Sequence, residues 1–199
     1  MEFYRVSKDA LSRSTFQAAR ASLEAVLPEV PFDDKRADLV IVGRYYDQRA
    51  VLLVVECKQR PLTSFGRSYG NAAKQAWHYA KKLNSQFFAV YDGWLIFIFR
   101  LQHPYLVGVY NAELEKELTD SMAAELLVGL MEYQYSNKSE RLTRLPKPRD
   151  PELLKQRILP SIAKSVVRQT VIDAQGKQLD EKSVETQARE LLEQWNKRF

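Results

Sequence analysis

Two neighbouring apolar runs, Ala37 to Tyr46 and Ala50 to Lys58, constrain this chain more than any other feature. Both are dense in Val, Leu and Ile, and only Asp47, Gln48 and Arg49 separate them. Runs of this length and β-branched content, broken by a short polar stretch, predict an antiparallel hairpin. Their hydrophobicity is continuous enough that layers are expected on both faces. The second run then ends in Glu56-Cys57-Lys58, where a charge without a partner would be costly. Alternation along a strand puts Glu56 and Lys58 on one face and Cys57 on the other, toward the core.

The partner strand supplies a third charge, Asp38. A three-residue loop, Asp47 to Arg49, pairs Tyr46 with Ala50, Val40 with Glu56 and Asp38 with Lys58, so that all three charged groups share a face. A two-residue loop pairs Asp38 with Cys57 and turns Asp38 away, so convergence requires an odd loop or a bulge. Two carboxylates meeting at a strand end can bind Mg²⁺ or Mn²⁺, which prefer oxygen donors, and an adjacent lysine can orient an attacking water. The competing structural reading is a strand-end salt bridge. Similar acid-and-lysine triplets at Asp33-Asp34-Lys35 and Asp180-Glu181-Lys182 lie in settings that read as polar surface.

Around this hairpin the pattern predicts a helix over 15–27 with Ser14 as N-cap, since Phe16, Ala19, Leu23, Val26 and Leu27 recur at helical spacing and Pro28 stops it. A second helix is read over Asn71 to Leu83 from Ala72, Ala76, Tyr79, Ala80 and Leu83. Phe87 to Tyr91 and Trp94 to Phe99 then form a hairpin across Asp92-Gly93, and Leu106 to Tyr110 adds a strand. The order is α-β-β-α-β-β. A long helix over 112–133 opens with Glu113, Glu115 and Glu117, as the helix dipole favours. Pro146, Pro148 and Pro151 mark 137–151 as a linker. Apolar stripes over 152–168 and 181–195 make 152–199 a helical extension, with core packing or docking, including self-association, as the use of those stripes.

The helix after the Glu-x-Lys strand carries Gln75-Ala76-Trp77-His78-Tyr79. With Ala37-Asp38 in the first strand and Glu56-Cys57-Lys58 in the second, the order resembles the PD-(D/E)xK nuclease core. The Gln-x-x-x-Tyr element is similar to that of RecB-type nucleases and of the N-terminal nuclease domain of type I restriction motor subunits. The resemblance covers residues 14–100, and Ala37 replaces the family proline, which is not a metal ligand. It implies an α/β restriction-endonuclease-like core over 1–136, a mixed sheet flanked by helices. It also implies metal-dependent hydrolysis of DNA, with Asp38, Glu56 and the Cys57 carbonyl as ligands of Mg²⁺ or Mn²⁺ and Lys58 positioning the water that leaves a 5′-phosphate. Gln75 and Tyr79 would face the site, and Glu24 on the first helix would bind a second metal or a water.

Arg60, Arg67, Lys74, Lys81 and Lys82 are candidate phosphate contacts. The net charge of +5 fits such a partner, because residues 1–100 hold 15 Lys/Arg against 10 Asp/Glu while the remainder is balanced at 15 each. No G-x-x-x-x-G-K-[ST] occurs, so a motor, or a specificity subunit, would be a separate chain. A catalytically silent DNA-binding or assembly subunit on the same fold is the alternative.

Other classes fall away. With 45% hydrophobic residues over 199 positions, disorder throughout is excluded. The longest aliphatic run, Ala50 to Val55, is far short of the roughly 20 residues a membrane span needs. One cysteine and two histidines exclude an internal disulfide and the usual zinc clusters. The first ten residues carry Glu2, Arg5, Lys8 and Asp9 and no apolar stretch, so a cytoplasmic location is expected.

Overall fold

A computed structural model describes residues 21–33, 35–45, 48–58, 67–111 and 120–197. Six strands form one mixed sheet in sequence order: β1 (Ala21–Phe32), β2 (Lys35–Tyr45), β3 (Gln48–Cys57), β4 (Phe87–Tyr91), β5 (Leu95–Arg100) and β6 (Tyr105–Asn111). Only β3 and β4 run parallel, joined through α1 (Arg67–Lys82); every other neighbouring pair is antiparallel. The remaining helices are α2 (Asp120–Ser136), α3 (Glu140–Arg144), α4 (Pro151–Leu153), a π-helical turn over Leu154–Ile158, α5 (Leu159–Gln175) and α6 (Glu181–Asn196). This is a mixed α/β architecture, a six-stranded sheet with flanking helices, as the residue pattern implies.

Alternation along the strands divides the core between two helical layers. Val40, Val42 and Val54 pack with α1, α5 and α6 on one face, while Leu39, Ile41, Leu53 and Val55 pack with α2 and α3 on the other. Both faces of β2 and β3 are therefore covered, as their near-continuous hydrophobicity requires.

One element departs from expectation. Positions 15–20 of the helix read over 15–27 lie outside the described residues, and 21–27 belong to strand β1. Leu27 pairs with Val40 and Val26 with Ile41, so a ladder to β2 replaces intrahelical bonds. The apolar spacing suits either structure, and an available pairing edge decides in favour of the strand. Pro28 does not end the element because β1 is an outer strand, where a residue lacking an N–H is tolerated.

The C-terminal segments close onto the sheet. Residues 137–151, read as a linker, contain α3 and bury Leu142 and Leu145 against the second face. The apolar stripes of 152–199, read as core or docking faces, are used internally: Ile158, Ile162, Val166, Val184 and Ala188 belong to the first-face core. Trp195 is fully buried, its Nε1 donating to the Pro104 carbonyl at 3.1 Å. Gly70 in α1 lies so close to α5 that an added Cβ would fall 2.7 Å from the Ser161 hydroxyl, and Ser165 donates to the Gly70 carbonyl at 2.6 Å. No helix among the described residues is long and apolar enough to cross a membrane.

Candidate active site

The hairpin register decides whether the charged residues meet. At the turn end Tyr45 pairs with Gln48 and Val42 with Val51; beyond it Ile41 pairs with Leu53 and Leu39 with Val55. A β-bulge at Leu52 makes the difference, since both Leu52 and Leu53 point to the second face. Continued from the turn, the first register would place Asp38 opposite Val55. After the bulge Asp38 stands opposite Glu56, on the face that α1 covers. The expected pairings of Val40 with Glu56 and Asp38 with Lys58 are thus displaced by two residues, which preserves the shared face because side-chain direction repeats every second residue.

The local contacts are specific. Asp38 Oδ2 accepts a hydrogen bond from the Cys57 backbone N–H at 2.6 Å, and Glu56 Oε1 accepts one from Lys58 Nζ at 2.6 Å. Glu56 is only 3% exposed, and its second oxygen, Oε2, is buried without any hydrogen-bond partner. Burial pushes the Glu56 carboxyl above its ordinary range; the Lys58 hydrogen bond pulls it back and the Asp38 charge adds to the rise. Burial opposes the Lys58 ammonium too, but the hydrogen bond and charge of Glu56 outweigh it and hold Lys58 above its usual value. Cys57 packs toward the second face, where burial, aided by the charge of Asp38, pushes its thiol up to about 12. A thiol packed among these core side chains serves the packing of the second face.

Beside Lys58 lies an open cavity of about 620 Å³. Ser68, Asn71, Lys74, Gln75, His78 and Tyr79 of α1 line it, closed by Lys35 from β2 and Gln169 from α5. Residues 71, 74, 75 and 78 follow the three-and-four spacing of one helical face, while Ala72, Ala73, Ala76 and Ala80 form the buried face. Gln75 and Tyr79 therefore border the same cavity as Lys58. The Tyr79 ring is stacked on Phe32 with centroids 5.5 Å apart.

The other candidates separate. Lys74 lines the cavity, but Lys81 is paired with Asp173 at 2.7 Å and Lys82 with Asp33. Arg60 and the Arg67 side chain lie outside the described residues. Glu24 sits on β1 rather than a helix, paired with Arg44 and with Arg49 at 2.9 Å. Arg44 is six residues along β2 from Asp38, about 20 Å at strand rise, so Glu24 belongs to the far end of the hairpin. Sequence reasoning missed Lys35, Ser68, Asn71 and Gln169. The polar stripe on α1 was a usable signal for Asn71, but nothing local marks Gln169.

Among the described residues no cluster of three or more His, Cys, Asp or Glu side chains forms a metal-holding group. The carboxylates available here are the pair Asp38 and Glu56. Their donor chemistry suits a hard divalent cation, and the buried, unpartnered Glu56 Oε2 is an acceptor that such a cation would satisfy.

No protein-family model matches the chain, and no curated protein matches it. Among solved structures, the type IIG restriction endonuclease BpuSI is similar with a TM-score of 0.43 and 14% identity, over 90% of this chain and 22% of that one. The chain thus spans about a fifth of that enzyme's length.

Proposed function

We propose that this chain is a metal-dependent nuclease that hydrolyses DNA phosphodiester bonds, of the PD-(D/E)xK type, with a place in restriction or DNA processing. The observation that carries the reading is the Glu56 carboxylate: buried, one oxygen unsatisfied, beside a second carboxylate on the neighbouring strand and bonded through Oε1 to Lys58, which lines a basic groove. A residue kept only for a salt bridge has no need of the second acidic partner, and the Asp38 charge makes its ionised form harder to maintain.

Asp38, Glu56 and the Cys57 backbone carbonyl are the oxygen donors that would hold Mg²⁺ or Mn²⁺, which when bound supplies positive charge for a phosphoryl oxygen and acidifies a water. Asp38 is held in place by the Cys57 N–H, so its orientation is set by the strand itself. Lys58, hydrogen-bonded to Glu56 and bordering the groove, would orient the attacking water and stabilise developing charge. Gln75 lies on the helix face toward the groove and positions the substrate backbone. Attack in line with the leaving group would leave a 5′-phosphate.

The test is cleavage of plasmid and of linear single-stranded DNA with Mg²⁺, comparing wild type with Asp38→Ala and Glu56→Ala and checking folding by circular dichroism. Cleavage by wild type and its loss in both folded variants is the expected result. Full activity in the variants overturns the site assignment. A wild type that binds DNA but never cleaves it overturns the enzymatic reading in favour of a silent nuclease-fold subunit.

A further inference from the structure

The cavity beside Lys58 has a chemical character that the carboxylate pair does not explain. Among the described residues its lining holds Lys35, Lys58, Lys74 and His78, three neutral hydrogen-bonding side chains in Asn71, Gln75 and Gln169, and no carboxylate. Among the described residues neither Lys35 nor Lys74 is in an ion pair, whereas Lys81 and Lys82, on the same helix, are both neutralised. Ser68 Oγ in the wall is buried without a partner. Positive charge left uncompensated beside amide groups marks a surface for an anion that carries hydrogen-bonding groups of its own.

Size suits such an occupant. An open space of about 620 Å³ is enough for a sugar-phosphate segment of one strand. The groove also has two ends of distinct origin. Lys58 at one wall adjoins the carboxylates, while Gln169 comes from α5, outside the core that the sequence motif spans. The close approach of Gly70 to Ser161, two turns before Gln169, and the bonds of Trp77 and Lys81 to Asp173, one turn after it, hold α5 against α1 on both sides of this point.

We infer that the groove between α1 and α5 is the track for a single nucleic acid strand leading to the carboxylate pair. Lys35 and Lys74 are its phosphate contacts, and Gln169 is a substrate-contacting residue supplied by the C-terminal helices. This rests on the nuclease reading for its direction toward the carboxylates, but not for strand binding itself. The C-terminal segment is then part of the substrate site.

The experiment is binding of a fluorescein-labelled single-stranded oligonucleotide in EDTA, followed by anisotropy over a range of KCl concentrations, so that no cleavage intervenes. Each of Lys35→Ala and Lys74→Ala lowers the slope of log affinity against log salt by about 0.7, the counterion share of one contact to a single strand. Gln169→Glu, which sets a carboxylate against phosphate, weakens binding by about tenfold or more. Lys164→Ala, whose lysine pairs with Glu185 at 2.8 Å away from the groove, leaves slope and affinity as in wild type. Unchanged slopes in both groove lysine variants overturn the track, and wild-type affinity in Gln169→Glu removes α5 from it. Because the readout is metal-free, loss of binding in these variants together with absent Mg²⁺-dependent cleavage by wild type would leave the groove standing and refute the nuclease reading alone.

Discussion

Glu56→Gln separates a metal ligand from a structural ion pair, because the two roles predict opposite changes in stability. In the folded protein the Glu56 carboxylate is 3% exposed and Oε2 has no partner. An unsatisfied buried acceptor costs about 1–3 kcal/mol. Replacing it with an amide removes the buried charge and lets an NH₂ face the Asp38 carboxylate. The loss is the charge of the Lys58 contact; Glu56 is buried, but the Lys58 side chain is 37% exposed and can turn to water, and the glutamine carbonyl can still accept its hydrogen bond, so the loss is held to about 1 kcal/mol. The balance favours the variant by about 1 kcal/mol, or about 2–4 °C in Tm for a chain of this size. In Mg²⁺ the order reverses. A cation at 100 times its Kd stabilises wild type by about 2.7 kcal/mol, and the glutamine has no carboxylate to offer it. Thermal unfolding by calorimetry at neutral pH, once in EDTA and once in Mg²⁺, reads both effects. A variant that melts well below wild type in EDTA would show that Glu56 serves the ion pair. Equal Mg²⁺ shifts in the two proteins would refute its role as a ligand.

Lys58→Ala should lower turnover by about 10²-fold or more while leaving the Mg²⁺ concentration dependence near that of wild type, since an ammonium cannot ligate a cation; a kinetic Mg²⁺ titration checks this. Trp195→Ala should destabilise the whole domain by about 3–5 kcal/mol, measured by denaturant unfolding, because a fully buried indole packed 5.1 Å from the Phe99 ring is lost. Asp173 ties α5 to α1: burial alone would raise its carboxyl, but hydrogen bonds from Lys81 and Trp77 outweigh it and hold the carboxyl below its ordinary 3.8. The unfolded chain therefore takes up the proton first, so this contribution is present above about pH 3.8 and disappears as acid carries the pH through the lowered value. Trp77 fluorescence during acid titration should show that transition, and Asp173→Asn should remove its pH dependence.

Much of the site is a matter of local period, and local period is written in the sequence. Strand alternation by itself places Glu56 and Lys58 together and sends Cys57 to the opposite layer, and a four-residue helical step brings Gln75 and Tyr79 to one side of α1. The apolar stripes of the C-terminal helices likewise announced faces that had to be covered. What periodicity leaves open is which element will be adjacent. The stretch 21–27 fits helix or strand by spacing, and the exposed edge of β2 makes it a strand, carrying Glu24 away to Arg44 and Arg49. A single extra residue at Leu52 moves Asp38 from opposite Val55 to opposite Glu56, a choice made by packing of two leucines against α2 rather than by the turn. Lys74, Lys81 and Lys82 are equivalent in sequence, yet the approach of Asp173 and Asp33 neutralises two and leaves the third lining the groove. Gln169 reaches that groove because α5 docks on α1, at Gly70 on one side of it and through Asp173 on the other. Contacts between residues distant in the chain depend on long-range packing, and packing is decided only when the layers assemble.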